Sequence, residues 1–156
     1  MTAYDRTDFA IIAILQNDVR TPNKELAARV GLAPSSCHER VKRLWADGIL
    51  TGAHAAVDAR QLGVGIEALL FIELAKHNRT TVDTFMTDVE TIPEVRSAFL
   101  ITGRHDLVVH VVARDTQHLK DLALDHFTNR PGVTRIETSI IYERRHRAEV
   151  PILLQR

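Results

Sequence analysis

Ser35, Ser36, His38, Arg40, Lys42 and Arg43 place two hydroxyls, an imidazole and three cations within nine consecutive residues. These groups suit nucleic-acid recognition: Arg pairs bidentately with guanine, Ser serves phosphate or base edges, and Lys and a helix N-terminus hold phosphates. At about 100° per residue, Cys37, Val41 and Leu44 form one apolar stripe. The opposite face carries Ser35, Ser36, Glu39, Lys42 and Arg43, with His38 and Arg40 on its flanks. A solvated face of any amphipathic helix has the same composition, so the neighbouring elements must decide. Arg40 has two open roles, a phosphate contact or an ion pair with a carboxylate of the first helix. Cys37 lies in the stripe and reads as core rather than as a redox sensor.

The eight histidines invite a metal reading. His105-Asp106 is a doublet used by some metal phosphohydrolases, with His110, His118 and His126 downstream, but ligands must converge on one point. By strand parity His105 and His110 face opposite sides, and no helix carries HxxxH or HxxE. The single cysteine excludes a Cys-based zinc cluster and an internal disulfide. No metal, no cofactor and no catalytic set is expected.

The elements that would position the basic face are three short helices. The first starts after Asp5, with Asp8 favourable to its dipole, and buries Ile11, Ile12 and Leu15. The second takes Thr21 as N-cap and Pro22 as its first residue, buries Leu26, Ala27 and Val30, and stops at Gly31. The third runs from about Pro34 to Asp47, and Gly48 ends it. Two helices joined by a glycine turn are the outline of a helix-turn-helix, whose second helix enters a DNA major groove.

Beyond residue 65 the pattern changes. Strand-like runs at 66–75, 95–102, 106–113 and 133–142 alternate with helix-like segments at 81–90 and 117–128. A shift of 38 residues brings Leu69 onto Leu107, Phe71 onto Val109, Met86 onto Leu124, Val89 onto Phe127, Pro93 onto Pro131 and Val95 onto Val133. A duplicated β-α-β gives a four-stranded antiparallel sheet with both helices on one face, the ferredoxin-like βαββαβ plait. The fold class is therefore α+β. The reading assigns 1–52 to the helix-turn-helix, 53–65 to a linker strand and 66–156 to the plait. The strands are apolar on both faces, so the bare sheet face calls for a second copy and an obligate homodimer.

Twenty Lys and Arg balance twenty Asp and Glu. Zero net charge argues on its face against a nucleic-acid partner, yet Arg29, Arg40, Lys42 and Arg43 stand against Glu39 alone between residues 29 and 43. Neutrality then implies modest affinity per subunit and dependence on assembly. The apolar run from Phe9 to Leu15 is far short of the ~20 residues of a membrane span, and Asp5 and Asp8 sit where a signal peptide would be basic. No membrane partner is expected.

Across nearly the whole chain these residues resemble the Lrp/AsnC (feast/famine) transcriptional regulators. The resemblance rests on YDRTDFAIIAILQNDVRTPNKELAARVGLAPSSCHERVKRLWADGILTG, the turn TGRHDL, the PGV before the last strand, and the basic closing segment RRHRAEVPI. It implies a winged helix-turn-helix that binds double-stranded DNA, with Ser35, Ser36, His38, Arg40, Lys42 and Arg43 as contact candidates. It further implies a ferredoxin-like (RAM) domain that senses an amino acid or related small molecule, forms dimers and assembles to octamers. The setting implied is prokaryotic, cytoplasmic and nucleoid-associated. The family's effector site lies near the turn between the second and third strands, here Thr102, Gly103, Arg104, His105 and Asp106. Gly103 can aim backbone N–H groups at a carboxylate, and Asp106 either balances an ammonium group or bonds its own turn. His105 stands where the family usually has Phe or Tyr, and Arg104 where an acidic or small residue is common. Ala33 replaces the usual Ser N-cap of the third helix. On this reading Arg43→Ala abolishes specific DNA binding, and Asp106→Ala abolishes the effector response, with the fold intact. Sirohaem decarboxylases, which resemble the family in both domains, are the enzymatic alternative. A sensing and assembly module that has lost DNA binding is the other.

Overall fold

The computed structural model describes residues 4–75, 79–147 and 149–153 of the chain, so Ala148 of the closing segment and residues 154–156 lie outside the described residues. It divides into two compact units, residues 1–56 with 145–156, and residues 57–144.

The first unit holds α1 (Arg6–Asn17), α2 (Asn23–Arg29) and α3 (Pro34–Ala46). Ile11, Leu15, Leu26, Ala27, Cys37 and Leu44 form its buried core. Asp5 caps α1 as expected, in a reciprocal capping box with Asp8. The start of α2 differs from expectation. Pro22 occupies the cap position without a side-chain bond, because the Thr21 hydroxyl donates back to the Asp18 carbonyl at 2.8 Å. That local turn competes for the hydroxyl and wins. Gly31, with φ of 69°, provides the left-handed turn into α3.

Residues 53–58 form no strand; the segment ends in a 3-10 turn over Ala59–Leu62 instead of the expected linker strand. The Asp58 carboxylate accepts the Arg60 N–H at 3.0 Å, a local cap that favours a turn over extended chain. The closing residues, expected with the second unit, group with the first. There the Gln16 side-chain amide donates to the Val150 carbonyl at 3.3 Å and accepts the Val150 N–H at 2.6 Å.

The second unit runs β1 (Ile66–Leu74), α4 (Arg79–Val89), β2 (Val95–Leu100), β3 (Leu107–Ala113), α5 (Thr116–Ala123), a π-type turn (Leu124–Thr128) and β4 (Val133–Ile140). The strands lie in the order β2-β3-β1-β4, every neighbouring pair antiparallel. Ala68, Leu70, Ile72 and Leu74 of β1 and Leu107, Val109, Val111 and Ala113 of β3 face a core closed by Phe85, Val89, Ile92, Leu119, Leu122 and Phe127. The internal repeat is therefore in phase at 38 residues only from Val89 and Phe127 onward, through the last strands, while the buried Phe85 and Leu122 of the helices are 37 apart. In the first strands the inward faces match at 39, as Leu70 does with Val109, because one residue of slip exchanges the two faces of a strand.

The opposite face of the sheet carries Glu67, Leu69, Phe71 and Glu73 of β1 with Val108, His110 and Val112 of β3. His110 meets Glu67 at 3.0 Å. Among the described residues no helix is long and apolar enough to cross a membrane.

Candidate functional site

On the basic helix the structure separates the six candidates. Asp8 is 1% exposed, buried beneath α3. Its two oxygens accept from Arg40 Nη1 at 2.9 Å and from Arg43 Nη2 at 2.8 Å, while Arg40 Nη1 also donates to Asp5 Oδ2 at 2.8 Å. The Arg43 guanidinium also lies 6.0 Å from the centre of the Tyr4 ring. Arg43, placed by sequence on the outer face, thus turns back to α1, and Arg40 takes its ion-pair role. The signal was present in the spacing: residues three apart share a helix face, so an Arg40 that reaches α1 brings Arg43 with it. A buried carboxylate shared by two guanidiniums fixes the orientation of α3. Arg43→Ala therefore removes part of the scaffold and does not isolate a DNA contact.

Ser35, Ser36, Glu39 and Lys42 are exposed on α3. The first amide bonded within the helix is Cys37 N–H, to the Ala33 carbonyl at 3.0 Å. Ala33 supplies no side-chain cap and Pro34 has no N–H, so the Ser35 and Ser36 amides are the donors at the positive end of the helix dipole. His38 is exposed but lines a cleft of about 140 Å³ with Leu15, Leu26, Val41 and Trp45, away from the Ser35–Lys42 face. Cys37 is fully buried, and burial pushes its thiol pKa up, which suits core packing and not a reactive thiolate.

The network has a measurable acid signature. The Asp8 backbone N–H, and after it the Arg40 guanidinium, hold the Asp5 carboxyl below the usual 3.8. A folded-state pKa below the unfolded one stabilises the fold above the unfolded value, and that contribution is lost as pH falls through the folded value. In an NMR titration Asp5 is expected to titrate below 3.8, and Arg40→Met to raise it only part way, since the backbone bond remains. Titration at or above the ordinary value would contradict the capping geometry.

The turn from Thr102 to Asp106 joins β2 to β3. Gly103 takes φ of 124°, a conformation that L side chains rarely adopt. The turn is stitched to β1: Asp106 N–H donates to the Ile72 carbonyl at 2.9 Å, and Asp106 Oδ2 accepts the Leu74 N–H at 2.7 Å. The carboxylate thus anchors the strand where its register with β4 shifts. It bonds the backbone of the neighbouring strand. Asp106→Ala would loosen the sheet together with any response.

The charged groups around this turn come from strands the sequence did not connect with it. Arg104 reaches Glu73 at 3.6 Å and Glu137 at 3.2 Å, and Arg135 pairs with Glu137 at 2.8 Å. His105 packs on Phe71 with ring centres 5.2 Å apart, its Nε2 lying 3.8 Å from Glu73 and 3.4 Å from Glu137. His105 and His110 therefore lie on the same side of the sheet, contrary to the parity argument, because His105 precedes β3 and sits in the turn. The available clue was the pair of glutamates in the otherwise apolar IEALLFIEL of β1.

Comparison with known proteins matches each part of the chain to a family, the second match running past residue 144 into the closing segment. Residues 4–51 match the winged helix-turn-helix DNA-binding family, and residues 67–150 match the Lrp/AsnC ligand binding domain. The transcriptional regulator AzlB of Bacillus subtilis is 34% identical over 149 residues, 95% of each chain. The regulator AldR of Mycolicibacterium smegmatis is 34% identical over 139 residues, 89% of this chain and 81% of that one. A transcriptional regulator from Neisseria meningitidis, solved as an L-Met complex, superposes with a TM-score of 0.89 at 28% identity, over 96% of this chain and 97% of that one. AsnC of Escherichia coli superposes with a TM-score of 0.83 at 25% identity, over 95% of this chain and all of that one. Matched in both units and along 95% of its length, the chain belongs to the Lrp/AsnC family of helix-turn-helix transcriptional regulators.

Proposed function

We propose that the chain works as a homodimer that reads double-stranded DNA with the Ser35, Ser36 and Lys42 side of α3, and that an amino acid or related small molecule at the 102–106 turn adjusts its binding or assembly. The observation that carries the DNA part is the division of labour on α3. Arg40 and Arg43 hold the helix to α1, while Ser35, Ser36 and Lys42 stay exposed beside its N-terminal amides. In fluorescence-anisotropy titrations of a duplex from the protein's own upstream region, Lys42→Ala is expected to weaken binding and reduce the salt slope by about 1. An unchanged slope would sink the assignment.

The effector reading is supported by the convergence of both signs of charge at one turn, Arg104 and Arg135 with Glu73 and Glu137, which suits a zwitterion. A thermal-shift screen of the twenty amino acids tests it; a true ligand at a hundred times its Kd stabilises by about 2.7 kcal/mol. The dimer reading is supported by Leu69, Phe71, Val108 and Val112 on the sheet face away from the helices, an apolar set that a two-fold copy would cover. Further association to an octamer belongs to the same reading, and sedimentation velocity decides both. The relatives' names favour regulation over catalysis, so added sirohaem is expected to leave its own absorption spectrum unshifted. The site of action on this reading is the cytoplasmic nucleoid.

A further inference from the structure

We infer that Glu73, His105 and Glu137 form a binding site for one divalent transition-metal ion. The inference stands apart from the amino-acid reading of the same turn and does not require it.

The three residues each offer one ligand atom, and these atoms all lie within 4.8 Å of one another. Ligands on one ion at about 2.0–2.2 Å from it are about 3–4 Å apart, so the widest pair needs about 1–2 Å of closure. The sheet does the positioning. Arg135 is opposite Glu73 and Glu137 is opposite Phe71 across the β1–β4 pair, which makes the two glutamates diagonal neighbours on one face. His105 is held over them by its contact with Phe71. The two glutamates sit on strands, which keep such spacings better than loops, while His105 comes from the turn.

The electrostatics ask for a cation. Like charges on neighbouring strands are destabilising unless something positive stands between them. His105 Nε2 points at both carboxylates, is itself buried, and hydrogen-bonds to neither. Either a ring proton given to one carboxylate or a positive ion on its lone pair would complete this nitrogen, and only the ion would also serve both carboxylates at once. Arg104 and Arg135 also pair with the carboxylates, with 63% and 53% of their side chains exposed in the single chain. Exposed pairs of this kind contribute about 0–1 kcal/mol, so they can yield to an ion without cost to the fold.

The donor set selects the ion. One imidazole and two carboxylates suit Zn²⁺, Mn²⁺, Fe²⁺, Co²⁺ or Ni²⁺, whereas Ca²⁺ and Mg²⁺ prefer oxygen alone and Cu⁺ prefers sulfur. Cys37, the only thiol, is buried in the other unit. Three protein ligands leave positions open for water or a small chelating molecule.

The test uses the full-length protein after treatment with EDTA and dialysis, titrated with CoCl2 followed by visible absorption and with ZnCl2 followed by calorimetry. One ion per chain is expected. Affinity should fall about tenfold or more in His105→Gln and in Glu137→Gln, and hold in His126→Gln, which alters an exposed histidine outside the cluster. In the wild-type protein, zinc should shift the His105 ring resonances, a readout that does not depend on any variant folding. Absence of saturable binding, binding unaffected by both substitutions, or an unmoved His105 signal would overturn the site.

Discussion

Asp8→Ala is expected to unfold the helix-turn-helix unit at ordinary temperature. The substitution withdraws a buried carboxylate from two guanidiniums at once and leaves Arg43, whose Nε is buried without a hydrogen-bond partner, with no acceptor at that position. Breaking a buried pair from one side costs about 3–5 kcal/mol; Arg40 and Arg43 are only half-buried, which argues for the lower end. Loss of the bond from the Asp5 N–H removes the reciprocal half of the α1 cap, about 1 kcal/mol more. A unit of this size holds only about 3–8 kcal/mol in total. Circular dichroism should show loss of helical signal, and DNA binding should fail with it. A destabilisation under about 1 kcal/mol would mean that the ion network contributes nothing to the fold.

Phe127→Ala is expected to do comparable damage in the second unit and to leave the first untouched. Phe127 is fully buried in the π-type turn that ends α5, its ring 6.4 Å from that of Phe85. Truncating a buried phenylalanine costs about 3–5 kcal/mol because the surroundings close only part of the cavity. This turn has little freedom to close. The Thr128 hydroxyl and the Asn129 amide are bound to the Ala123 and Leu124 carbonyls at 3.0 and 3.1 Å, which fixes the widened backbone around the ring. At about 4–8 °C per kcal/mol for a unit of this length, the midpoint of its transition should drop by more than ~12 °C. The two units have separate cores, so calorimetry should show the transition of the helical unit at its original temperature. A drop below about 5 °C would show that the turn repacks.

The elements were legible because their signals are local. Alternation and short apolar runs placed β1, β2, β3 and β4 to within two residues at each end, and Gly31 and Gly48 marked the ends of α2 and α3. The phase of the repeat in β1 and β3 was misjudged, since both faces of these strands are apolar and a one-residue slip leaves the pattern unchanged. What the sequence could not place were pairings across long separations. Asp8 and Arg43 are 35 residues apart, and Arg104 and Glu137 are 33 apart. Their meeting depends on helix packing and on β4 lying beside β1, neither of which leaves a local trace. The basic patch on α3 was legible as composition, yet its two arginines face inward, because a half-buried guanidinium gains more from the Asp8 carboxylate than from water.

The return of residues 145–153 to the helical unit makes that unit discontinuous in sequence. The sensing unit is an insertion, entered after Ala56 and left before Arg145, with both of its covalent ends tied to one body. A single cut in the segment before β1 would therefore leave the two units covalently joined. The amide clamp between Gln16 and Val150 fixes the second connection on α1 itself. The end of β4 is thus joined to the helical unit by a connection separate from the segment that precedes β1.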